Sequence, residues 1–524
     1  MRDFQKPGRS LVYAASGMAA TSHPLATRVA VDTLARGGNA VDAALSAAFL
    51  LALCEPHMCG LGGDAFALVK PARSDRVWGL NGSGRSPAGF SPEPLRARGL
   101  KRMPEHEVAA VTLPGAVDAF VRLSETWGRM PLAEVVTPAI GYAEEGVPVA
   151  PRVAADWLEG KKVLQGAARR HYLPGGNAPR VGTLFRHEGQ AEVLRRIAQS
   201  GRAGFYEGEV AEDLVASLRA LGGTHTLDDL AAVAADEVEP ISGPYRGHEI
   251  VELPPNGQGA TALLLAKILS HFDLARLDPL GPERAHLEAE ATVLAYDARD
   301  RFVAEQSPRL EHMLSDETAA RLAALIDPAT TLPDPRQASE AVHRDTVYLT
   351  VVDRDRMAVS LIYSIFHGFG AGLASERFGL LYQNRGAGFT LQPGHPNEAG
   401  PGKRPLHTII PAMLKREGRV VMPFGVMGGA YQAAGHARFV SNMVDFGMDP
   451  QEAIDLPRSF PDHGTLWLET GYPRATAERL AALGHTIARR ASPFGGAQAI
   501  LIDEAAGVLV GASDPRKDGC ALGY

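Results

Sequence analysis

Residues 346–364 read TVYLTVVDRDRMAVSLIYS, and the character of the chain changes where this stretch begins. Its two apolar runs, TVYLTVVD and MAVSLIYS, are rich in β-branched and aromatic residues, which is typical of strands. The same composition recurs in FGLLYQN (378–384) and VVMPFGV (420–426). The last third of the chain, from Thr346 onward, is therefore predicted to be rich in strands.

The first two-thirds of the chain is dominated by helical patterns. Residues 26–38 have helical spacing and end at a glycine pair, and Asn39 then suits an N-cap. The following run, AVDAALSAAFLLALCEP, is apolar on nearly every face, which predicts a buried helix. Residues 283–305 predict a further, amphipathic helix. The polar, proline-containing segment 326–345 is the best linker candidate between the two regions.

Length and composition indicate a globular protein. The 524 residues are 45% hydrophobic and 22% charged, which allows two to four domains or one large core of two intertwined parts. The net charge of −7 has the wrong sign for a basic nucleic-acid-binding surface. Three cysteines, Cys54, Cys59 and Cys520, are too few for a disulfide framework and are expected to be buried or half-buried thiols.

The sequence gives no sign of a membrane partner. The longest apolar stretch, residues 43–54, is short of the roughly 20 residues that cross a bilayer. Charged residues, Pro7 and Gly8 interrupt the N-terminus, so it does not resemble a secretory signal. We therefore expect a cytoplasmic protein.

Motifs for metals and cofactors are absent from the sequence. The 17 histidines form no HExxH motif, and HLEAEA (286–291) and YDARDR (296–301) are predicted to be solvated helix faces. PPNGQGA (254–260) lacks the GK[ST] ending of a phosphate loop, and the GGDAF turn (62–66) has no dinucleotide fingerprint. The sequence thus predicts neither a metal site nor a cofactor.

Several blocks together resemble the γ-glutamyltransferase family of N-terminal nucleophile (Ntn) hydrolases. They are GGNAVDAALSAAFLLALCEPHMCGLGGDAFALV (37–69), VTLPGAVDAF (111–120), TPAIGYAEEGVPV (137–149), GFYEGEVAEDL (204–214), YRGHEIVELPPNGQG (245–259), KRPLHTIIPAM (403–413) and GASDPRKDG (511–519). Each block is weak alone, and their joint order and spacing carry the resemblance. It implies an α/β fold, the four-layer αββα sandwich.

The resemblance also implies a precursor that cuts itself before a threonine. The match places this cut between Asp345 and Thr346, where the composition changes. The products would be a large subunit, residues 1–345, and a small subunit, residues 346–524. The two would remain associated as one intertwined fold.

The cut would make Thr346 the nucleophile. A threonine hydroxyl needs a base, and the new α-amino group, with a reference pKa of about 8, supplies one on the same residue. The family pattern places a second hydroxyl at Ser364 and the oxyanion hole at Gly428 and Gly429. Consecutive glycines suit that role because backbone N–H groups can approach closely. Without the resemblance, Thr346 would be an ordinary strand residue and the glycine pair an ordinary turn.

Departures from the family pattern indicate the substrate. NGSGRSP (81–87) matches the segment whose arginine holds the glutamyl carboxylate, and Arg85 is the arginine that it keeps. A guanidinium can grip a carboxylate bidentately, whereas a surface-loop arginine is the alternative interpretation. Ala387 and Gly388 replace the acidic pair that holds the substrate ammonium, and Arg385 lies just before them.

Two further positions change in the same direction. Phe366 replaces an asparagine, and His407-Thr408 replaces a serine pair. His407 suits either a hydrogen bond to substrate or a structural role. A free α-amino group would leave its charge unpaired in such a site, which is costly.

These changes predict a hydrolase for a small acidic amide without a free α-amino group, such as an oxamate-like or glutaryl-like compound. Within the family this resembles the branch of oxamate amidohydrolases, glutaryl or cephalosporin acylases and glutathione hydrolase-like proteins. One alternative is a γ-glutamyl hydrolase or transferase acting on glutathione. Another is a non-catalytic metabolite-binding homologue. Homo-oligomerisation stays open.

Overall fold

The computed structural model describes residue 5 and residues 8–332 and 346–524. Its strands are β1 (Val12–Ala14), β2 (Met18–Thr21), β3 (Asp64–Lys70), β4 (Trp78–Gly82), β5 (Val147–Pro148), β6 (Leu184–Phe185), β7 (Asp236–Val238), β8 (Ile241–Tyr245), β9 (His248–Glu252), β10 (Val347–Val352), β11 (Ala358–Ser364), β12 (Ala412–Arg416), β13 (Arg419–Met427), β14 (Ser459–Asp462), β15 (Thr465–Leu468), β16 (Thr486–Arg489), β17 (Gly496–Asp503), β18 (Val508–Ser513) and β19 (Cys520–Gly523).

The helices surround these strands. They are α1 (Pro24–Ala35), α2 (Ala40–Cys54), α3 (Glu93–Ala97), α4 (Ala116–Trp127), α5 (Leu132–Glu145), α6 (Pro151–Gly160), α7 (Gly166–Tyr172), α8 (Glu188–Ser200), α9 (Ala203–Tyr206), α10 (Gly208–Ala220), α11 (Leu227–Ala231), α12 (Gly259–Leu269), α13 (Pro282–Phe302), α14 (Leu310–Leu314), α15 (Asp316–Ala323), α16 (Tyr431–Val444), α17 (Pro450–Asp455) and α18 (Arg474–Ala482).

Two antiparallel sheets form the centre of the molecule. Within the described ranges each sheet has seven strands, in the orders β1-β18-β17-β13-β12-β9-β8 and β19-β2-β10-β11-β3-β4-β7. Strand β10 packs on β13 and β17 of the facing sheet, α2 covers β10 and β11, and α12 and α16 cover the other sheet. The layers therefore run helix, sheet, sheet, helix, which confirms the predicted αββα sandwich.

The predicted helix pair near the N-terminus is confirmed. Asn39 caps α2: its side chain accepts the backbone N–H of Val41 and Asp42, and the Asp42 carboxylate accepts the Asn39 N–H. Every residue of α2 is buried, as its all-round apolar pattern requires. The cap fixes where this helix enters the core beneath β10 and β11.

The stretch that opens the strand-rich region forms a hairpin. In the antiparallel pair β10–β11, Val347 lies opposite Tyr363, so Thr346 comes next to Ser364. On the other side of β11, Ser364 lies opposite Asp64, the first residue of β3. The register therefore aligns Thr346, Ser364 and Asp64 at one end of three neighbouring strands.

Two local predictions are wrong. FGLLYQN is not a strand, because its backbone bonds to loops: the Tyr382 N–H donates to the Leu373 carbonyl and the Gln383 N–H to the Gly62 carbonyl. HLEAEA and YDARDR are not solvated faces either, because α13 lies between α12 and the β14 sheet and buries His286 and Arg299. A helix with two packed sides hides polar residues that an isolated amphipathic helix would expose.

Other expectations concern single features. The three cysteines are free thiols, with Cys54 and Cys59 buried and Cys520 half-buried, as predicted. None of the helices in the described residues is both long enough and apolar enough to cross a membrane. The linker candidate 326–345 and the predicted cut after Asp345 lie largely outside the described residues, which resume at Thr346.

Candidate active site

Thr346 and Ser364 meet at the end of the hairpin. The Thr346 hydroxyl donates to the Ser364 Oγ at 3.3 Å, and the Ser364 Oγ also accepts the backbone N–H of Phe366 at 2.8 Å. Both side chains are buried. The hairpin register explains how residues 18 apart in sequence come into contact. We call Thr346, Ser364 and Asp64 the nucleophile edge.

Asp64 is the charged member of the nucleophile edge. Its Oδ1 accepts the Gly84 N–H at 2.8 Å and the Gln383 Nε2–H at 3.0 Å. Its Oδ2 lies 2.9 Å from the His407 Nε2 and 3.9 Å from the Arg385 Nε. Since the residue is fully buried, these donors are what keep its negative charge tolerable.

His407 is held by the protein on both ring nitrogens. Burial, with a contribution from nearby Arg385, lowers the pKa of His407 to about 3, so the ring is neutral at neutral pH. Its Nε2 therefore carries the proton that faces Asp64, while its Nδ1 accepts the Ile409 N–H at 3.4 Å. This geometry favours the structural role over a hydrogen bond to substrate.

Arg385 is a buried cation with donors to spare. Its Nη1 donates to the Thr408 hydroxyl at 3.0 Å, and its guanidinium lies 4.0 Å from the centre of the Phe366 ring. Among the described residues, its Nε and Nη2 find no hydrogen-bond acceptor. Burial lowers the pKa of Arg385 to about 9, so the side chain remains charged at neutral pH. We call Arg385, Phe366 and Thr408 the Arg385 wall.

The glycine pair ends β13 in a conformation that other residues rarely adopt. Gly428 and Gly429 have φ values of 125° and 57°, and a Cβ on Gly428 would lie 2.8 Å from the Gly495 Cα. The Gln258 Nε2 donates to the carbonyls of Gly429, at 3.0 Å, and Thr408, at 2.7 Å. The Arg299 Nη1 in turn donates to the Gln258 Oε1 at 3.0 Å. This amide therefore ties the glycine turn to the Arg385 wall.

A cavity of about 400 Å³ opens beside the Arg385 wall. Its lining includes Phe366 and Thr408 of that wall, and Ala387 and Gly388 where the family pattern has an acidic pair. Carboxylates are also present in the lining, from Glu105 and from Asp300, and Asp300 pairs with Arg299 at 2.7 Å. The cavity is large enough for a small organic substrate.

Arg85 stands apart from these contacts. It forms an ion pair with Glu305 and donates to the Gly402 carbonyl at 3.0 Å, and its side chain is 41% exposed. Among the described residues, neither Arg85 nor Arg385 is part of the cavity lining, and Arg385 lies behind Phe366 and Thr408. The substrate-binding role of Arg85 stays a prediction, and its placement favours the surface-loop interpretation.

Sequence reasoning missed the residues that support the site. Asp64 has no predicted role, although its carboxylate stands between Gly62-Gly63 and the apolar run of residues 65–69. Gln258 lies in YRGHEIVELPPNGQG (245–259), a block that contributes to the family resemblance but gives this residue no role of its own. Arg299 was assigned to a solvated face. Their partners come from distant parts of the chain, so local patterns could not reveal them.

The fold defines the class of protein. The αββα sandwich is the arrangement of Ntn hydrolases, which act on C–N amide bonds. The family model described as Gamma-glutamyltranspeptidase matches residues 26–524. The chain therefore belongs to the γ-glutamyltranspeptidase family and is an amide hydrolase of the Ntn type.

Three relatives match this chain over nearly its whole length. The glutathione hydrolase-like YwrD proenzyme of Bacillus subtilis is 34% identical, over 97% of this chain and 98% of that protein. The oxamate amidohydrolase proenzyme of Klebsiella pneumoniae is 35% identical, over the same shares. The crystal structure of cephalosporin acylase from Bacillus halodurans superposes with a TM-score of 0.92 at 38% identity, covering 100% of this chain and 99% of that one.

Proposed function

We propose that this protein is an autoprocessing amidohydrolase whose nucleophile is Thr346. Its substrate is a small amide that carries a carboxylate and lacks a free α-amino group, such as an oxamate-like or glutaryl-like compound. The observation that carries the proposal is Arg385, a buried cation with unused donors that packs on Phe366, whose backbone N–H donates to Ser364 of the hydroxyl pair. Relatives named as an oxamate amidohydrolase and a cephalosporin acylase support the same substrate class.

The reaction follows from the groups at the nucleophile edge. A cut before Thr346 frees an α-amino group that takes the hydroxyl proton as the Oγ attacks the amide carbonyl. Backbone N–H groups of Gly428 and Gly429 stabilise the negative oxygen that forms. The proton passes to the leaving amine, and an acyl-enzyme remains on the Oγ. Water then attacks the ester, with the same amino group as base, and restores the threonine.

Arg385 sets the preference for the acyl part. A carboxylate near its Nε and Nη2 would supply the acceptors that these donors lack, and a charge-assisted contact contributes about 1.5–3 kcal/mol. Asp64 is a poor counter-ion for a substrate ammonium, because its oxygens already accept hydrogen bonds from Gly84, Gln383 and His407. An acid portion without a free amine therefore fits best.

The first alternative is a γ-glutamyl hydrolase or transferase acting on glutathione. It is favoured by Glu105 and Asp300, which bring carboxylates to the cavity where a substrate ammonium could bind. The name of the glutathione hydrolase-like relative points the same way. The second alternative, a non-catalytic binding homologue, receives no support from the residues, because Thr346, Ser364 and the glycine pair are all present.

A substrate screen separates these proposals. Oxamate, a glutaryl amide and glutathione are incubated with the purified protein and with the Thr346→Ala variant, and the released amine or glutamate is measured. We expect turnover of an acidic amide that depends on Thr346 and exceeds turnover of glutathione. Preferred turnover of glutathione would select the first alternative. Equal release by both proteins would contradict the nucleophile assignment.

A further inference from the structure

A second cluster of titratable groups lies outside the candidate active site, where α13 meets the loop between α18 and β16. His286 and Glu290 are one turn apart on α13, and His485 follows α18. Each side chain offers a ligand atom, and these atoms all lie within 4.8 Å of one another. His286 and Glu290 are buried, and His485 is half-buried. The reaction proposed above uses none of the three.

The protein already holds His286 in the form that a metal needs. Its Nε2 lies 2.8 Å from the Asp327 carbonyl oxygen, which can only accept, so this nitrogen carries the ring proton. The Nδ1 then faces the His485 Nε2, 2.8 Å away. Metal-binding histidines usually donate the N–H of their other ring nitrogen to a backbone carbonyl or a carboxylate in this way.

Glu290 is oriented by a backbone contact. Its Oε2 accepts the Leu332 N–H at 2.7 Å, which fixes the direction of the carboxylate. His286 and Glu290 have an i, i+4 spacing, and this places both side chains on one face of the helix. Asp327 and Leu332, the two residues that orient these ligands, lie in the segment that follows α15.

We propose that His286, Glu290 and His485 form a binding site for a divalent transition-metal ion, with Zn²⁺ as the best match. Two imidazoles and one carboxylate favour Zn²⁺ and its first-row neighbours over Mg²⁺ or Ca²⁺. Zn²⁺ bonds of about 2.0–2.1 Å place ligand atoms about 3.4 Å apart, so small side-chain rotations bring these three into place. Binding moves the His485 ring proton from Nε2 to Nδ1, and a water molecule completes a tetrahedral shell.

The site would join the two parts of the molecule. His286 and Glu290 precede the predicted cut, and His485 follows it; this consequence alone rests on the proposed function. A backbone hydrogen bond already connects the two parts here: the Thr331 N–H donates to the Leu483 carbonyl at 3.0 Å. A metal would therefore link the end of the large subunit to the small one.

Metal titration of the full-length protein tests the site. Protein stripped with a chelator is titrated with ZnCl₂ and CoCl₂, with MgCl₂ as the negative control. We expect one Zn²⁺ per chain, a visible absorption band for tetrahedral Co²⁺, and a higher unfolding temperature with Zn²⁺. No saturable binding would overturn the proposal and leave only a His–His hydrogen bond.

Matched variants locate the ion. His485→Gln changes a half-buried side chain and should weaken Zn²⁺ binding at least about 10-fold, and Glu290→Gln, which keeps an acceptor for Leu332, should also weaken it. His312→Gln, which changes an exposed histidine of α14, should bind like the unmodified protein. Equal affinity in His485→Gln and His312→Gln would overturn the assignment. Thr346→Ala should keep the site, which separates this proposal from the catalytic one.

Discussion

Arg385 and Arg85 carry the same side chain in two very different parts of the molecule. Arg385 is fully buried in the Arg385 wall and has donors without acceptors in the described structure. Arg85, in the loop of residues 81–87, is half-exposed and already has Glu305 as a partner. An exposed charge with a counter-ion gains little from a ligand, whereas a buried cation gains much from an arriving anion. The two arginines therefore differ in their expected affinity for a substrate carboxylate because of their surroundings, which the residue type alone does not reveal.

The largest expected effect comes from removing the charge that supports Arg385. In Asp64→Asn the new amide N–H must face a group that donates a hydrogen bond to the Asp64 carboxylate. The substitution also removes the negative charge nearest to Arg385. Breaking a buried pair costs about 3–5 kcal/mol, so we expect a clear loss of stability in denaturant unfolding. The control is Glu239→Gln, because Glu239 pairs with Arg76 at an exposed site. Equal small losses in both variants would contradict the buried-network interpretation.

The second effect is on substrate binding. Arg385→Gln should raise KM for an acidic amide about 100-fold, which corresponds to the loss of one charge-assisted contact of about 2–3 kcal/mol. Steady-state kinetics on an acidic amide and on its neutral ester analogue measure the effect, and the neutral compound should be less affected. Arg385→Lys should recover only part of the loss, because an ammonium lacks the planar fork. An unchanged KM would remove Arg385 from the substrate site.

Acid pH should lower the free energy of unfolding through the buried histidines. Burial lowers the pKa of His23, His187 and His225 to about 4, and of His407 to about 3, so these rings are neutral when folded. In the unfolded chain the same histidines take up a proton near pH 6.5. Their contribution to the free energy of unfolding is therefore fully present above that pH and is lost as the pH drops toward 4. Each such histidine contributes a slope of about 1.4 kcal/mol per pH unit in this window.

Unfolding free energies measured in denaturant between pH 7.5 and 4.5 check this direction. His225→Gln removes one of these histidines away from the nucleophile edge and should flatten the curve. A curve that is level between pH 6.5 and 5 would show that the buried histidines take up protons without unfolding.

The smallest effect is expected at Arg85. Arg85→Gln removes an exposed ion pair, and such pairs contribute about 0–1 kcal/mol, so stability and KM should both change little. The same kinetic assay as for Arg385→Gln gives a direct comparison of the two arginines. A KM rise as large as that of Arg385→Gln would restore Arg85 as the carboxylate anchor that the sequence suggests.

The resemblance to the family predicted the fold and the hydroxyl pair, because its motifs keep their order along the chain, and local signals predicted only single elements. Asn39 and the apolar run after it predict helix α2, and the β-branched and aromatic composition of residues 346–364 predicts β10 and β11. The supporting residues depend on distant partners. Asp64 faces His407, and Gln258 joins Thr408 to Gly429, contacts that no periodicity encodes. Likewise, the burial of α13 follows from packing on two sides and cannot be read from its charges.

The most direct test of the account is the intact mass of the protein and of Thr346→Ala under denaturing conditions. We predict two fragments from the unmodified protein, residues 1–345 and 346–524, the second with an N-terminal threonine. Thr346→Ala should stay a single inactive chain. A single, uncut chain that still hydrolyses an acidic amide would contradict the assignment of Thr346 as an N-terminal nucleophile.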